Sequence, residues 1–194
     1  MTPFYHHLLD SAESYGITAL FGIPDPGLFH LFNAAQERGW TVVAPHHESA
    51  AGFMAEGWSR LTGRATMVAA SLGPGFANMV PAMMHAMAEH SPILFLAGRR
   101  NGLPATAQRG RFQHSAQLPI AAAAVKHAAS LDDPQTAAQS LAQALDTLNT
   151  GTPGPAYLEI PPETMLASVN APPAQPITPR LPDLSAALAL IATA

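Results

Sequence analysis

The sequence predicts an α/β fold: a doubly wound, mostly parallel sheet of about six strands with helices on both faces. Three observations carry this. Short apolar runs alternate with longer helical patterns through about residue 160. Most of the runs are continuously apolar rather than alternating, the mark of strands buried on both faces. Glycine or proline turns separate most of the segments.

Each element has its own justification. Thr2 as N-cap and Pro3 at the first helical position open a helix. Phe4, Leu8, Ala12 and Tyr15 supply its apolar face, and Gly16 closes it. Residues 17–21 are a short apolar strand, and 22–27 a turn with two prolines. Residues 28–38 read as a helix with Leu28, Leu31, Phe32 and Ala35 on one side, ended by Gly39. Residues 41–44 make the next strand. A Pro45-His46-His47 turn leads into a helix over about 48–62, whose small face of Ala51, Gly52 and Ala55 permits close packing. Gly63 stops it. Residues 65–71 are a buried strand, 73–75 turn into a helix ending near His90, and 92–97 are another apolar strand.

Residues 99–111 read as loop and hold four of the eight arginines: Arg99, Arg100, Arg109 and Arg111. Residues 125–128 are a candidate strand. Asp132-Asp133-Pro134 starts a helix to about Asn149, where acidic residues suit the N-terminus. Residues 156–160 are the last strand. Seven prolines between 161 and 182 read as an extended linker. Residues 183–194 look like the opening of another apolar helix. The expected organisation is a domain over 1–165, a Pro-rich linker over 166–182, and the start of a further domain over 183–194. On this reading the chain is the front of a longer protein.

Composition narrows the function. The 194 residues are 48% hydrophobic and 11% charged, which argues against disorder and suffices for a sizeable core. The absence of cysteine excludes disulfides and thiolate metal sites. Nine Lys+Arg against 13 Asp+Glu, a net charge of -4, argue against nucleic acid as partner. Lys126 is the only lysine, and no GxxxxGK[ST] surrounds it. The first 16 residues carry no Lys or Arg, unlike a signal peptide. The charge-free run 65–88 is interrupted by Gly73, Pro74, Gly75, Asn78, Pro81 and His85, unlike a membrane span. A cytoplasmic protein without a membrane partner is expected.

In an open parallel sheet, ligands bind beyond the carboxyl ends of the strands. Four segments lie there: 22–27, 46–48, 73–78 and the arginine loop. Glu48 follows a strand and begins a helix of small apolar residues. A carboxylate there can exchange a proton with a ligand in a dry crevice, or simply favour the helix start. His46 and His47 fit a turn and a supporting partner for Glu48 better than a metal site, since the order is not HExxH. Gly73-Pro74-Gly75 either presents backbone N–H groups to a ligand or lets a turn pass close to its neighbours. The arginines can hold an anion or form a solvated loop or subunit contact. The Met-rich stretch of Met79, Met83, Met84 and Met87 reads as core or interface packing. A dinucleotide-binding domain would need GxGxxG after the first strand, and residues 22–27 lack it.

Taken together, these segments resemble the N-terminal, pyrimidine-binding domain of thiamine-diphosphate-dependent enzymes, in the acetolactate synthase and benzoylformate decarboxylase superfamily. Gly16-x4-Phe21-Gly22-x-Pro24 resembles its first strand and turn. His47-Glu48-x2-Ala51-x3-Ala55-x-Gly57-Trp58-x-Arg60-x-Thr62-Gly63 resembles its most telling segment. Gly73-Pro74-Gly75-x2-Asn78, Phe112-Gln113, Lys126 and Gly151-x2-Gly154-Pro155-x4-Ile160-Pro161 follow in family order, so the likeness covers about residues 3–165. Two positions depart from the pattern. Asp25 replaces the usual glycine after Pro24, which implies an altered substrate choice, and His114 replaces an acidic residue.

The resemblance implies that Glu48 is catalytic, bonding the ring nitrogen of the cofactor's aminopyrimidine so that its imino form can deprotonate the thiazolium carbon. It implies that Pro24, Glu48, Gly73, Pro74, Gly75 and Asn78 bind the pyrimidine end of thiamine diphosphate. Asp25, His47 and Gln113 are expected to face a 2-keto acid substrate. No metal ligand is expected in this chain: Mg²⁺ would enter through a Gly-Asp-Gly segment of another domain, which this sequence lacks. Flavin use stays open. The implied partners are a second copy, in a homodimer, and a diphosphate-binding domain on the same or a partner chain. The implied activity is 2-keto acid decarboxylation or carboligation, with this chain inactive alone. The alternatives are a separate alpha-type subunit of a split decarboxylase and, in another class, a non-catalytic interaction module or a dinucleotide-binding domain.

Overall fold

A computed structural model of the chain describes residues 2–100, 113–176 and 184–192. Arg109, Arg111 and Phe112 lie outside them. The first half contains β1 (Thr2–Pro3), α1 (Phe4–Ser14), β2 (Ala19–Gly22), α2 (Phe29–Glu37), β3 (Thr41–Val43), α3 (Glu48–Thr62) and β4 (Thr66–Ala70). Then come α4 (Pro74–Ala88), β5 (Ile93–Gly98), α5 (Gln117–Ala122), β6 (His127–Ser130), α6 (Pro134–Asn149) and β7 (Ala156–Ile160). A short α7 (Pro162–Leu166), β8 (Ser168–Val169) and α8 (Ser185–Ala192) complete the described elements.

Six strands form one parallel sheet in the order β3-β2-β4-β5-β7-β6. Successive residues of a strand face opposite sides, and each side has its own core. Leu94 and Leu96 join a core with α1, α2 and α6, whereas Ile93, Phe95 and Ala97 join one with α3, α4 and α5. This double coverage explains why β4, β5 and β7 are buried throughout. Helices α3 and α4 approach closely: a Cβ on Gly52 would stand 2.3 Å from the Ala82 Cβ. The expected small face therefore serves as a packing face. In the Met-rich helix, Met79 and Met83 are buried, and Met84 and Met87 are exposed.

The structure corrects several local expectations. Thr2 does not cap the first helix. Thr2–Pro3 pairs antiparallel with Ser168–Val169, and the Phe4 N–H donates to the Ala167 carbonyl (2.9 Å). Pairing across the length of the chain supplies what a cap would have supplied locally. The proline-rich stretch 161–182 opens with α7 and β8. It then runs along α1, where the Ala174 N–H donates to Ser11 Oγ (3.0 Å) and Gln175 Nε2 to Ser14 Oγ (3.0 Å). The expected strand at 125–128 lies at 127–130. Helix α5 was not expected; Pro119 and a run of alanines hide its period. At α6 the expectation holds, with Asp133 as N-cap accepting from the Gln135 N–H (2.9 Å).

Candidate functional site

The chain turns from β2 to β3 on one side and places β4 on the other. That reversal opens a crevice beyond the carboxyl ends of β2 and β4, where such sheets bind ligands. Three turns line it.

After β2, Pro24 and Asp25 are half-buried. Asp25 builds its own turn: Oδ1 accepts from the Gly27 N–H (2.9 Å), and its carbonyl accepts from Leu28 and Phe29 (2.9 and 3.0 Å) to start α2. Its Oδ2 reaches over the end of β5, where a Cβ on Gly98 would come within 3.5 Å of it.

After β3, His47 is the N-cap of α3, its Nδ1 accepting from the Ser49 N–H (3.2 Å). His46 is exposed. Glu48 is the first residue of α3 and half-buried. Its Oε2 accepts from Asn78 Nδ2 (2.9 Å), 30 residues on in α4. Ser49 Oγ donates to the Asn78 carbonyl, so neighbouring residues of α3 grip one residue of α4. Among the described residues no hydrogen-bond partner reaches Glu48 Oε1. A Cβ on Gly75 would stand 3.3 Å from that oxygen, so glycine keeps the approach to it open.

After β4, Gly73 takes a left-handed φ of 63°, which favours glycine. A Cβ there would lie 2.6 Å from the Gln113 carbonyl oxygen. Gly73 thus sits directly against the Gln113 backbone. The Gln113 side chain is exposed, and its Oε1 accepts from Arg100 (2.9 Å). The structure therefore brings Glu48, Gly75 and Asn78 together, with Gly73 and Gln113 touching each other and Pro24 and Asp25 on the turn after β2. His47 has its Nδ1 committed to the cap.

A cavity of about 390 Å³ opens beside these turns, over the ends of β5, β7 and β6. Leu72, Arg99, Arg100, Gln113, Gln117 and Glu159 are among its walls. Arg99 pairs with Glu159 (3.2 Å) and Asp132 and donates to Ser130 Oγ. Burial pushes the Glu159 carboxyl up, against the downward pull of Arg99. Gln117, Glu159 and Ser49 gave no signal as site residues. Their partners stand on other elements, and neither period nor motif marks them. Among the described residues, no cluster of three or more His, Asp or Glu is arranged to hold a metal ion. Among them, too, no helix is long and apolar enough to cross a membrane.

Comparison with known proteins adds family to geometry. Residues 4–123 match the family "Thiamine pyrophosphate enzyme, N-terminal TPP binding domain". The chain is 28% identical over 193 residues to the acetolactate synthase of Bacillus subtilis (strain 168), covering 96% of this chain and 34% of that protein. It is 32% identical over 149 residues to 2-hydroxyacyl-CoA lyase 2 of Bos taurus, covering 77% and 23%. A solved structure, the Rhodococcus jostii RHA1 thiamine diphosphate-dependent 4-hydroxybenzoylformate decarboxylase, is similar with a TM-score of 0.74 at 22% identity, over 96% of this chain and 33% of that one. At that identity the likeness is one of fold. The chain spans between 23% and 34% of the length of these proteins.

Proposed function

This chain belongs to the thiamine pyrophosphate enzymes as an N-terminal TPP binding domain, and from that premise we propose that it forms the pyrimidine-binding half of a 2-keto acid decarboxylase or carboligase site. The observation that carries the proposal is the Glu48 carboxylate. One oxygen is fixed by Asn78 and the other faces a gap kept open by Gly75. The fit is one of shape and chemistry: a flat heteroaromatic edge needs a single aimed acceptor and no Cβ in its way. Bound thiamine diphosphate supplies the carbon nucleophile and electron sink that keto acid chemistry requires.

The chain's own residues have distinct parts. Glu48 Oε1 holds or gives a proton at a pyrimidine ring nitrogen. Asn78 sets the direction of that carboxylate. Residues 73–78 and Pro24 wall the ring. Asp25, Gln113 and His47 stand toward the substrate side, where the Asp25 carboxylate narrows the range of acids accepted. Diphosphate and Mg²⁺ are held by another domain carrying Gly-Asp-Gly. A second copy packs on α3 and α4, a reading supported by the exposure of Phe53, Met54, Met84 and Met87.

The test is proton exchange at the thiazolium carbon of bound cofactor in the complete protein, wild type against Glu48→Gln. Gln keeps the size and a carbonyl acceptor and loses the exchangeable carboxyl proton. Exchange is expected to slow by about 10²–10⁴-fold, the range of general acid–base contributions. Equal rates would return Glu48 to a helix-start role.

A further inference from the structure

One buried polar side chain on the cavity wall makes no contact with Glu48 or Asn78 in its own hydrogen bonds. Gln117 is 5% exposed. A buried amide needs partners for both its oxygen and its NH₂ group. Its Oε1 accepts the Gly73 N–H (2.8 Å). Its Nε2 donates to the Gly98 carbonyl (3.1 Å) and the Tyr157 hydroxyl (3.0 Å), with Glu159 Oε2 at 3.4 Å. The amide orientation follows from these partners: turned over, its NH₂ would meet the Gly73 N–H donor to donor. One side chain of α5 thus joins the start of α4 to the ends of β5 and β7.

The Gly73 N–H needs such a partner. It lies at the N-cap of α4, where backbone donors have no acceptor within the helix. The turn can shift little toward Gln113, whose backbone fills the space where a Gly73 Cβ would be. Five residues on, less than two helical turns away, Asn78 donates to Glu48. A displaced helix start would carry Asn78 with it.

We propose that Gln117 is a positioning residue for the Glu48 site: by accepting the Gly73 N–H it fixes the start of α4 and, through Asn78, the direction of the Glu48 carboxylate. This rests on the reading of Glu48 as the cofactor's partner. A merely structural Gln117 would add stability and leave that carboxylate alone.

Two variants separate these roles in the complete protein. Gln117→Met keeps the bulk and loses both ends. Gln117→Glu keeps an acceptor for Gly73. The readouts are hydrogen–deuterium exchange of the Gly73 amide and thiazolium-proton exchange of bound thiamine diphosphate. With Met, the Gly73 amide should exchange about tenfold faster and the cofactor proton about tenfold slower, the scale of one hydrogen bond. Glu should restore most of both. A Gly73 amide indifferent to Met, or a freed Gly73 with an unchanged cofactor proton, overturns the positioning role. Neither result touches Glu48, which is judged by Glu48→Gln. Should the variants not fold, wild type decides: a Gly73 amide exchanging as fast as an unstructured glycine overturns the inference, and a protected one supports it.

Discussion

At the edge of the sheet where the strands begin, Lys126 commits every hydrogen of its ammonium group to backbone. Its Nζ donates to the carbonyls of Thr147 (2.6 Å), Thr150 (3.0 Å) and Thr152 (2.6 Å), and its stem lies along Gly154, where a Cβ would come within 2.5 Å of Lys126 Cδ. This closes the carboxyl end of α6, a place where cations are favoured. At the opposite edge, Glu48 gives one oxygen to Asn78 and keeps the other beside Gly75 without a partner among the described residues. Both residues stand out in the sequence, one as the only lysine and one as the acidic start of a small-residue helix. The difference lies in spent and unspent hydrogen-bonding capacity. A charge whose bonds are all internal holds the fold, and a charge with one aimed, unbonded atom is available to a ligand.

The sharpest break in this comparison is expected from neutralising each charge in turn. Glu48→Gln in the complete enzyme should lower turnover by about 10²–10⁴-fold. Its stability should change by no more than about 0.3–1 kcal/mol, the scale of a helix-dipole contact. Steady-state kinetics beside a thermal melt reads both, and a large loss of stability with intact turnover would reverse the assignment.

Gly73→Ala comes next and strikes the same edge. An alanine held in this sparsely populated backbone conformation costs about 1–3 kcal/mol, and the new Cβ would collide with the Gln113 backbone at 2.6 Å. Stability should fall by at least that amount and cofactor affinity with it, read by urea unfolding and by titration calorimetry. A variant as stable as wild type would show that the turn has room to move.

Lys126→Met should act on stability alone. Loss of the charged donor is expected to cost about 1–3 kcal/mol, seen as a lower urea midpoint, with thiazolium-proton exchange unchanged. A slowed exchange would mean that the two edges are coupled.

The smallest effect should come from the neighbouring His127. Burial lowers its pKa below the ordinary 6.5, and its Nε2 is buried without a partner among the described residues. The folded state thus prefers the neutral ring. Its destabilising effect is absent above pH 6.5, grows as pH falls from there toward the lowered folded value, and is constant below it. His127→Leu should therefore lose less stability than wild type between pH 7 and pH 5, in urea midpoints measured at both.

The parts of this molecule that are legible in the sequence share a cause. Strands β4, β5 and β7 are buried on both faces, and burial writes itself as an unbroken apolar run. Strand β6 is only half-buried and alanine-rich, so the sequence places it two residues early. Thr2 has the form of an N-cap, but β8, more than 160 residues away, claims it for a strand. The site divides in the same way. Glu48, Gly73 and Asn78 stand in segments that motif order marks as candidates, whereas Gln117 carries no local mark, since its four partners stand at Gly73, Gly98, Tyr157 and Glu159.

The sequence by itself determined the layered α/β class, most of the turns, and a carboxylate at the start of a helix close to the strand ends. These follow from unbroken apolar runs, from the 3.6-residue helical period and from glycine and proline, all of which act over a few residues. Tertiary structure alone decided that Asn78 takes one Glu48 oxygen, that Gly75 leaves the other open, that Gln117 pins Gly73, and that Lys126 closes α6. Each of those is a hydrogen bond or a gap between residues about 20 to 45 positions apart in the chain. Such bonds exist only once the crossovers have closed and the glycine-sized spaces between helices have set their distances.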